Sequence, residues 1–249
     1  DRSLPLARWL SDEANEANRI KRDTPVMCVI GNPPYNGESI NNGKWISNLI
    51  NNYKKDHKGK AIPNAKWVNN DYVKFIRFGE YFIQRNEQGL LTYITDNSFL
   101  DSLSFNGMRH HLLRTFDKIY IINLHGNSKI KETTPDGTPN ENVFNIMQGV
   151  SISIFVKAPN TAPKEQLAEV YYYDLYGKRT EKFAFLDENS LNTIPFSHLT
   201  MVEPHYFFTP KDFSLQEKYD SFFSIKDLFM KGGVGICSKR DDTAIQFTK

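Results

Sequence analysis

The chain has 249 residues, of which 39% are hydrophobic and 24% are charged, a balance typical of a globular protein with a hydrophobic core. It contains no run of 18 apolar residues, which argues against a membrane span, and its charged N-terminus lacks a signal-peptide core. A net charge of +2 neither requires nor excludes a polyanionic partner. Only two cysteines occur, Cys28 and Cys237, and this scarcity indicates a cytoplasmic protein.

Helical and strand patterns alternate along the first 158 residues. Residues 6–22 predict a helix, and "PVMCVIG" (25–31) predicts a strand buried on both faces, with Cys28 as a core thiol. Further helices are predicted at 44–55, 70–89 (capped by Asn70 or Asp71) and 106–116, and further strands at 89–96, 118–124 and 149–157. This alternation predicts an α/β fold with a mostly parallel sheet, in which the last two strands are antiparallel because no helix separates them.

From about residue 159 the regular alternation of predicted helices and strands stops. "AEVYYYDLYG" predicts an exposed strand, and the remainder is turn-rich with one short helix near 213–220. We therefore predict two regions, 1–158 and 159–249. The chain opens without methionine and closes on an unfinished pattern, so we expect it to be part of a longer polypeptide.

"GNPPYNG" (31–37) directly follows the first predicted strand, the position at which open α/β sheets bind ligands. Each proline holds the preceding residue extended, so the Asn32 amide and the Pro33 carbonyl become rigid acceptors beside the flat ring of Tyr35. Two such acceptors suit a planar substrate that carries an –NH2 group. They favour a pyramidal nitrogen, which exposes the lone pair for attack. A simple turn that ends the strand is the alternative.

The segment 39–70 carries six lysines and one acid, with aromatic residues interleaved. Its position after the NPPY loop suggests a DNA-contacting insertion, and a solvated loop is the alternative. The lysines singled out as DNA contacts are Lys44, Lys54, Lys55, Lys58 and Lys60. Other basic residues considered as phosphate contacts are Lys129, Lys131, Lys178, Arg179, Lys239 and Arg240.

Several other features carry less information. Asp96 and Asn97 follow a predicted strand, so they either line the same cleft as the NPPY loop or cap a helix. The histidines lack metal-ligand spacing, and we predict no metal site. "KGGVG" (231–235) fits no phosphate-binding loop and predicts a turn.

The NPPY motif resembles the catalytic motif of the N6-adenine DNA methyltransferases. "DYVKFIRFGEYFI", "GLLTYITDNSFL", "GMRHHLLRTFDKIYIINLHGN", "NENVFNIMQGVSISIFVK" and "EVYYYDLYGKR" follow it in the order typical of one branch. That branch is the methyltransferase part of single-polypeptide type ISP restriction-modification enzymes. The resemblance covers most of residues 20–240.

The resemblance implies a Rossmann-like S-adenosylmethionine-dependent fold followed by the start of a target recognition domain. Asn32 and Pro33 would hold the adenine amino group, Tyr35 would stack on the flipped base, and Phe144 would be the second aromatic contact. The implied partners are double-stranded DNA and the remainder of the polypeptide, including helicase and nuclease domains.

The family's Gly-rich cofactor turn and the acidic residue after the next strand would both precede the NPPY motif. Only 31 residues precede Asn32, and they contain no such turn. We therefore expect the cofactor-binding half to lie upstream of residue 1 and the chain alone to be inactive. The alternatives are a non-catalytic DNA-binding module and a protein-glutamine N-methyltransferase.

Overall fold

The computed structural model describes residues 3–35, 39–159 and 166–223. The chain divides into two compact units, one that runs through Pro210 and one that begins at Lys211. The helices of the first unit are α1 (Ser3–Asp23), α2 (Lys44–Ile50), α3 (Asp71–Asn86), α4 (Asn106–Thr115) and α5 (Arg179–Glu188). Its strands are β1 (Cys28–Gly31), β2 (Gly89–Asp96), β3 (Lys118–His125), β4 (Val150–Lys157), β5 (Glu169–Asp174) and β6 (Ser197–Leu199). The described part of the second unit contains α6 (Gln216–Asp220).

The six strands form one mixed sheet in the order β1-β2-β4-β3-β5-β6. β1 is parallel to β2, and β3 is parallel to β5, whereas β4 is antiparallel to both β2 and β3. β6 is antiparallel to β5. It follows that β1, β2, β3 and β5 run in one direction and finish at the same end of the sheet, here called its carboxyl end. The predicted antiparallel relation between the last two strands of the first region is confirmed.

Side chains on the two faces of the sheet build two hydrophobic clusters. Leu91 and Tyr93 of β2 belong to one cluster. Ile94, the next residue of the strand, packs against the other cluster. β3 and β4 divide their apolar residues in the same alternating way, as strand geometry requires. Helix α3 covers the first face closely, because a Cβ at Gly79 would lie 2.5 Å from the Leu91 side chain.

The prediction that the first strand is buried on both faces is wrong. Among the described residues, β1 pairs with β2 only, at the edge of the sheet, and its Ile30 side chain is 77% exposed. Cys28 is exposed as well, so it is not a core thiol. The apolar run forms the expected strand, but burial depends on a second neighbour that the described residues do not supply.

Residues beyond 158 extend the same sheet. β5, expected to be exposed, lies between β3 and β6 and buries Val170 and Tyr172, and α5 was not predicted. The compact unit therefore continues to Pro210, past the boundary at 158/159. The assignment of the later residues to a target recognition domain stays a prediction. The turn at 231–235, Cys237, Lys239 and Arg240 lie outside the described residues.

Arg109 is a fully buried cation that joins α4 to two loops. Its guanidinium donates to the carbonyl oxygens of Phe99 (2.7 Å), Ser102 (2.9 Å) and His205 (2.7 and 3.0 Å). Burial lowers the pKa of Arg109 to about 9, against the pull of Asp101. The hydrogen bonds satisfy a charge that would otherwise be costly to bury.

No helix in the described part of the chain is long and apolar enough to cross a membrane.

We expect Arg109→Met to lower the free energy of unfolding by about 3 kcal/mol or more, because it removes all four hydrogen bonds from the guanidinium to the carbonyl oxygens of Phe99, Ser102 and His205, at ~1–3 kcal/mol for each group left unsatisfied. Arg114→Met, at an exposed position in the last turn of the same helix, should change it by less than ~0.5 kcal/mol. Urea unfolding of both variants measures the difference. Equal effects would show that the Arg109 hydrogen bonds contribute little.

Candidate functional site

The NPPY loop begins where β1 ends, at the carboxyl end of the sheet. Pro33 is buried, Asn32 is exposed, and Tyr35 is half-buried between the two hydrophobic clusters. Pro33 thus anchors the loop while the Asn32 side chain stays accessible to a ligand. The placement agrees with the position at which open α/β sheets bind their ligands.

The Tyr35 hydroxyl fixes the Asn32 side chain. It lies 2.6 Å from Asn32 Oδ1 and 3.1 Å from the Ile94 carbonyl oxygen of β2, and shares its single proton between them. Burial, and then the negative charge of Asp96, raises the pKa of Tyr35 to about 12. The phenol therefore remains a hydrogen-bond donor at neutral pH. Asn32 Oδ1 retains a second lone pair for a ligand N–H.

A cavity of about 420 Å³ opens beside Tyr35. Asp96 and Ser98 from the end of β2 line it, together with Lys129 and Gln148 from loops at the same end of the sheet. Tyr35 lines this cavity, whereas Asn32 and Pro33 do not. Its volume falls within the range of small-molecule binding sites.

Asp96 both caps a helix and lines a cavity, the two roles that the sequence suggested for it. Its carboxylate accepts a hydrogen bond from Ser98 N at 2.7 Å, which caps the short 3₁₀ helix Asn97–Leu100, and it also lines the cavity. Asn97 instead ties strands together: its amide donates to Asn123 Oδ1 at 2.9 Å, and its backbone N–H donates to the Gly149 carbonyl. Asn97 therefore stabilises the floor of the site.

Phe144 is half-buried and packs against the same hydrophobic cluster as Tyr35. It lines a different cavity from Tyr35, of about 630 Å³. Arg179 stabilises the loop that carries Phe144, because its guanidinium donates to the carbonyl oxygens of Asn142 (2.8 Å) and Phe144 (3.0 Å). Arg179, considered as a phosphate contact, is thus engaged within the protein, and the role of Phe144 as second aromatic stays a prediction.

The chain after the motif is held by a lysine that the sequence reasoning missed. Lys74 of α3 is buried, and its ammonium donates to Ser39 Oγ (2.7 Å), the Asn41 carbonyl (2.6 Å) and Asn42 Oδ1 (3.1 Å). Asp71 of the same helix accepts from the Ser39 hydroxyl. Burial lowers the pKa of Lys74, while Asp71 opposes this. A charge inside the apolar run "YVKFI" was the available signal.

The basic segment forms an ordered turn. Asp56 accepts from the backbone N–H groups of Lys60 (2.8 Å) and Lys58 (2.9 Å), which lowers its pKa, and Lys55 and Ala61 form an antiparallel bridge. The turn packs on the start of α4, where a Cβ at Gly107 would lie 2.1 Å from the Lys55 carbonyl oxygen. Of the five singled-out lysines, Lys54 is half-buried, and the exposed ones are Lys44, Lys55, Lys58 and Lys60.

His125 clamps the loop that carries Lys129. The buried imidazole lies 2.8 Å from Glu132 Oε1 and 2.7 Å from Asp174 Oδ1, and stacks on Tyr176 at 4.1 Å between ring centroids. Burial alone would lower the pKa of His125, but the hydrogen bonds to Asp174 and Glu132 outweigh it and raise the pKa above its ordinary value. Among the described residues, no cluster of three His, Cys, Asp or Glu side chains has the geometry of a metal site.

Comparison with known proteins places this site in a family. Residues 8–130 match the Eco57I restriction-modification methylase family. This part of the chain is therefore identified as an Eco57I restriction-modification methylase domain. A search of the curated proteins finds no significant match.

Solved structures resemble this chain over most of its length. The ATP-dependent type ISP restriction-modification enzyme LlaBIII, bound to DNA, is 25% identical over 82% of this chain, with a TM-score of 0.66. A nuclease-deletion mutant of the type ISP enzyme LlaGI with a DNA substrate mimic is 24% identical over 82%, with a TM-score of 0.66. A DrdV–DNA complex is 24% identical over 79%, with a TM-score of 0.63. The match covers 14%, 20% and 19% of those three chains, respectively.

The raised pKa of His125 predicts a pH-dependent stability. Protonated His125 is stabilised by Glu132 and Asp174, so its contribution is complete below its ordinary pKa of about 6.5 and is lost as pH rises through the raised folded-state value. The free energy of unfolding should therefore decrease from pH 6 towards alkaline pH. His125→Asn, which tolerates the local φ of 54°, should remove this dependence and cost about 2 kcal/mol at pH 6.

His198→Gln is the matched control, because His198 is exposed on β6. Urea unfolding between pH 6 and 9 should show the wild-type slope in this control. A slope that persists in His125→Asn would assign the pH dependence to other groups.

Proposed function

We propose that this chain is the catalytic part of a DNA methyltransferase that transfers a methyl group from S-adenosylmethionine to adenine N6 within a restriction-modification system. The observation that carries the proposal is the NPPY loop at the end of β1, with Asn32 accessible and its oxygen fixed by Tyr35. The restriction-modification methylase match supports methyl transfer, and the DNA-bound structures that the chain resembles support DNA as the substrate.

The chemistry follows from the acceptors. The lone pair of an adenine amino group is delocalised into the purine ring, which makes the nitrogen a poor nucleophile. Asn32 Oδ1 and the Pro33 carbonyl oxygen each accept one of its N–H hydrogens and favour a pyramidal nitrogen. Tyr35 stacks on the extrahelical base, with Phe144 as the second aromatic contact. Bound S-adenosylmethionine would supply the electrophilic methyl group.

The described residues do not fit the main cofactor-binding pattern of such enzymes. Before β1 they form only the helix α1, with no strand and no Gly-rich turn. We therefore propose that another part of the polypeptide binds the cofactor. The open edge of β1 supports a neighbour there, because Ile30 is 77% and Met27 is 44% exposed beside an unpaired strand edge.

We further propose that Lys55, Lys58 and Lys60, the exposed lysines of the turn between Lys55 and Ala61 (the basic turn), contact DNA phosphates. The turn packs on the start of α4, next to Phe105, which lines the Tyr35 cavity. No salt bridge among the described residues uses these lysines. Their charges are therefore available to a polyanion.

The decisive variant is Asn32→Ala in the intact protein, expressed in cells that lack adenine methylation. We expect N6-methyladenine in the wild-type culture and a loss of roughly 100- to 1,000-fold in the variant, because a preorganised acceptor is removed. Asn52→Ala, at an exposed position after α2, is the matched control. Mass spectrometry of hydrolysed DNA measures the base.

Unchanged methyladenine in Asn32→Ala would contradict the assigned role of the loop. A wild-type protein that binds DNA and cofactor but leaves no methyladenine would favour the non-catalytic DNA-binding module. Methylated glutamine in place of methyladenine would identify the protein-glutamine activity.

The lysine proposal predicts a weaker salt dependence. Replacing Lys55, Lys58 and Lys60 by Gln should weaken DNA binding and reduce the slope of log K against log salt by about 0.9 for each lost phosphate contact. Lys118→Gln is the control, because Lys118 is exposed at the start of β3, at the opposite end of the sheet. An unchanged slope in the triple variant would remove the turn from the DNA interface.

A further inference from the structure

The Tyr35 cavity has a second wall, formed by the end of the basic segment. Trp67, in the 3₁₀ helix Ala65–Asn69, and Asn70, which follows it, both line the cavity. Asn32 and Pro33 do not line this cavity, so the wall at Trp67 and Asn70 is separate from the two acceptors of the NPPY loop.

Trp67 is a large exposed ring. Its side chain is 53% exposed, and among the described residues its ring interaction is with Lys66, whose ammonium lies 5.2 Å from the ring centroid. Trp45 differs, because it packs edge-on against Phe78 and Tyr81 at 5.9 and 5.1 Å. An exposed aromatic face at a cavity suits stacking with a base, which tolerates any sequence.

Asn70 is a buried amide whose hydrogen bonding is incomplete. It is 9% exposed, and its Oδ1 has no hydrogen-bond partner among the described residues. The expected role as side-chain cap of α3 does not explain it, since no such cap hydrogen bond forms. A buried acceptor without a partner costs about 1–3 kcal/mol, so a ligand donor at this position would be stabilising.

The charges around the cavity fit a nucleotide. Lys129 lines it and is exposed, and Lys66 lies beside the Trp67 ring, so cations flank the wall. Among the described residues of the lining, Asp96 is the one carboxylate, and it accepts a hydrogen bond from Ser98 N. Phosphate and deoxyribose within a DNA strand offer no N–H or O–H donor, so an acceptor such as Asn70 Oδ1 matches a base N–H.

We propose that Trp67 and Asn70 bind the nucleotide that flanks the extrahelical adenine, Trp67 by stacking on its base and Asn70 by hydrogen bonding to its edge. The inference rests on the proposed adenine methyltransferase function. It assigns these two residues to substrate binding, so the site extends from the NPPY loop across the cavity into the insertion.

The test uses the intact protein, labelled S-adenosylmethionine and duplex DNA from cells without adenine methylation. Trp67→Ala should raise KM for DNA roughly 10- to 100-fold and leave kcat within a few-fold, because one stacking contact is lost. Trp67→Phe should restore most of the affinity. Trp9→Ala, at a 60% exposed position on α1, should leave both parameters unchanged.

Asn70→Ala separates binding from structure. Removal of a buried acceptor that has no partner in the described part of the chain should leave the free energy of unfolding unchanged or higher, while KM for DNA rises. Lower stability with an unchanged KM would overturn the assignment of Asn70, and an unchanged KM in Trp67→Ala would overturn that of Trp67. Absence of methyl transfer by the wild-type protein would instead contradict the proposed function itself.

Discussion

The antiparallel strand β4 is the constraint on which the site depends. By pairing with β2 on one side and β3 on the other, it holds two parallel strands two positions apart and aligns their carboxyl ends. The register sets Asp96 opposite Val150 and Asn123 opposite Ser151. Tyr35, Asp96 and the clamped loop after His125 therefore meet at one end of the sheet.

Buried charges hold the loops around that end. Lys74 fixes the chain after the NPPY loop, and Arg109 fixes the loop after β2 and the loop that contains His205. Lys182 of α5 is fully buried and donates to the Leu124 and Glu141 carbonyl oxygens at 2.7 and 2.6 Å. Its pKa is lowered to about 8 by burial, against the attraction of Glu132. Each cation binds backbone carbonyls, so the helices that carry these cations help to fix the positions of the loops.

Local patterns predicted the elements of the first 158 residues, the antiparallel final pair and the place of the NPPY loop, because these follow from periodicity and proline geometry. Burial was less predictable: "PVMCVI" has the composition of a central strand, yet its position at the edge depends on a neighbour far away in sequence. Likewise, β5 is internal because β6 pairs with it. The cavity wall at Trp67 and Asn70 required knowledge of which loops meet at the sheet end, and no local signal contains that.

The edge position of β1 has a thermodynamic consequence for the loop that follows it. A four-residue strand with hydrogen bonds on one side opens at a lower free-energy cost than the central strands, and Asn32 is its immediate extension. Any segment that completes the ladder along β1 would raise that cost without touching Asn32. Pairing at the edge and preorganisation of the Asn32 amide are thus linked equilibria, so a neighbouring strand can increase or decrease the rigidity of the NPPY loop.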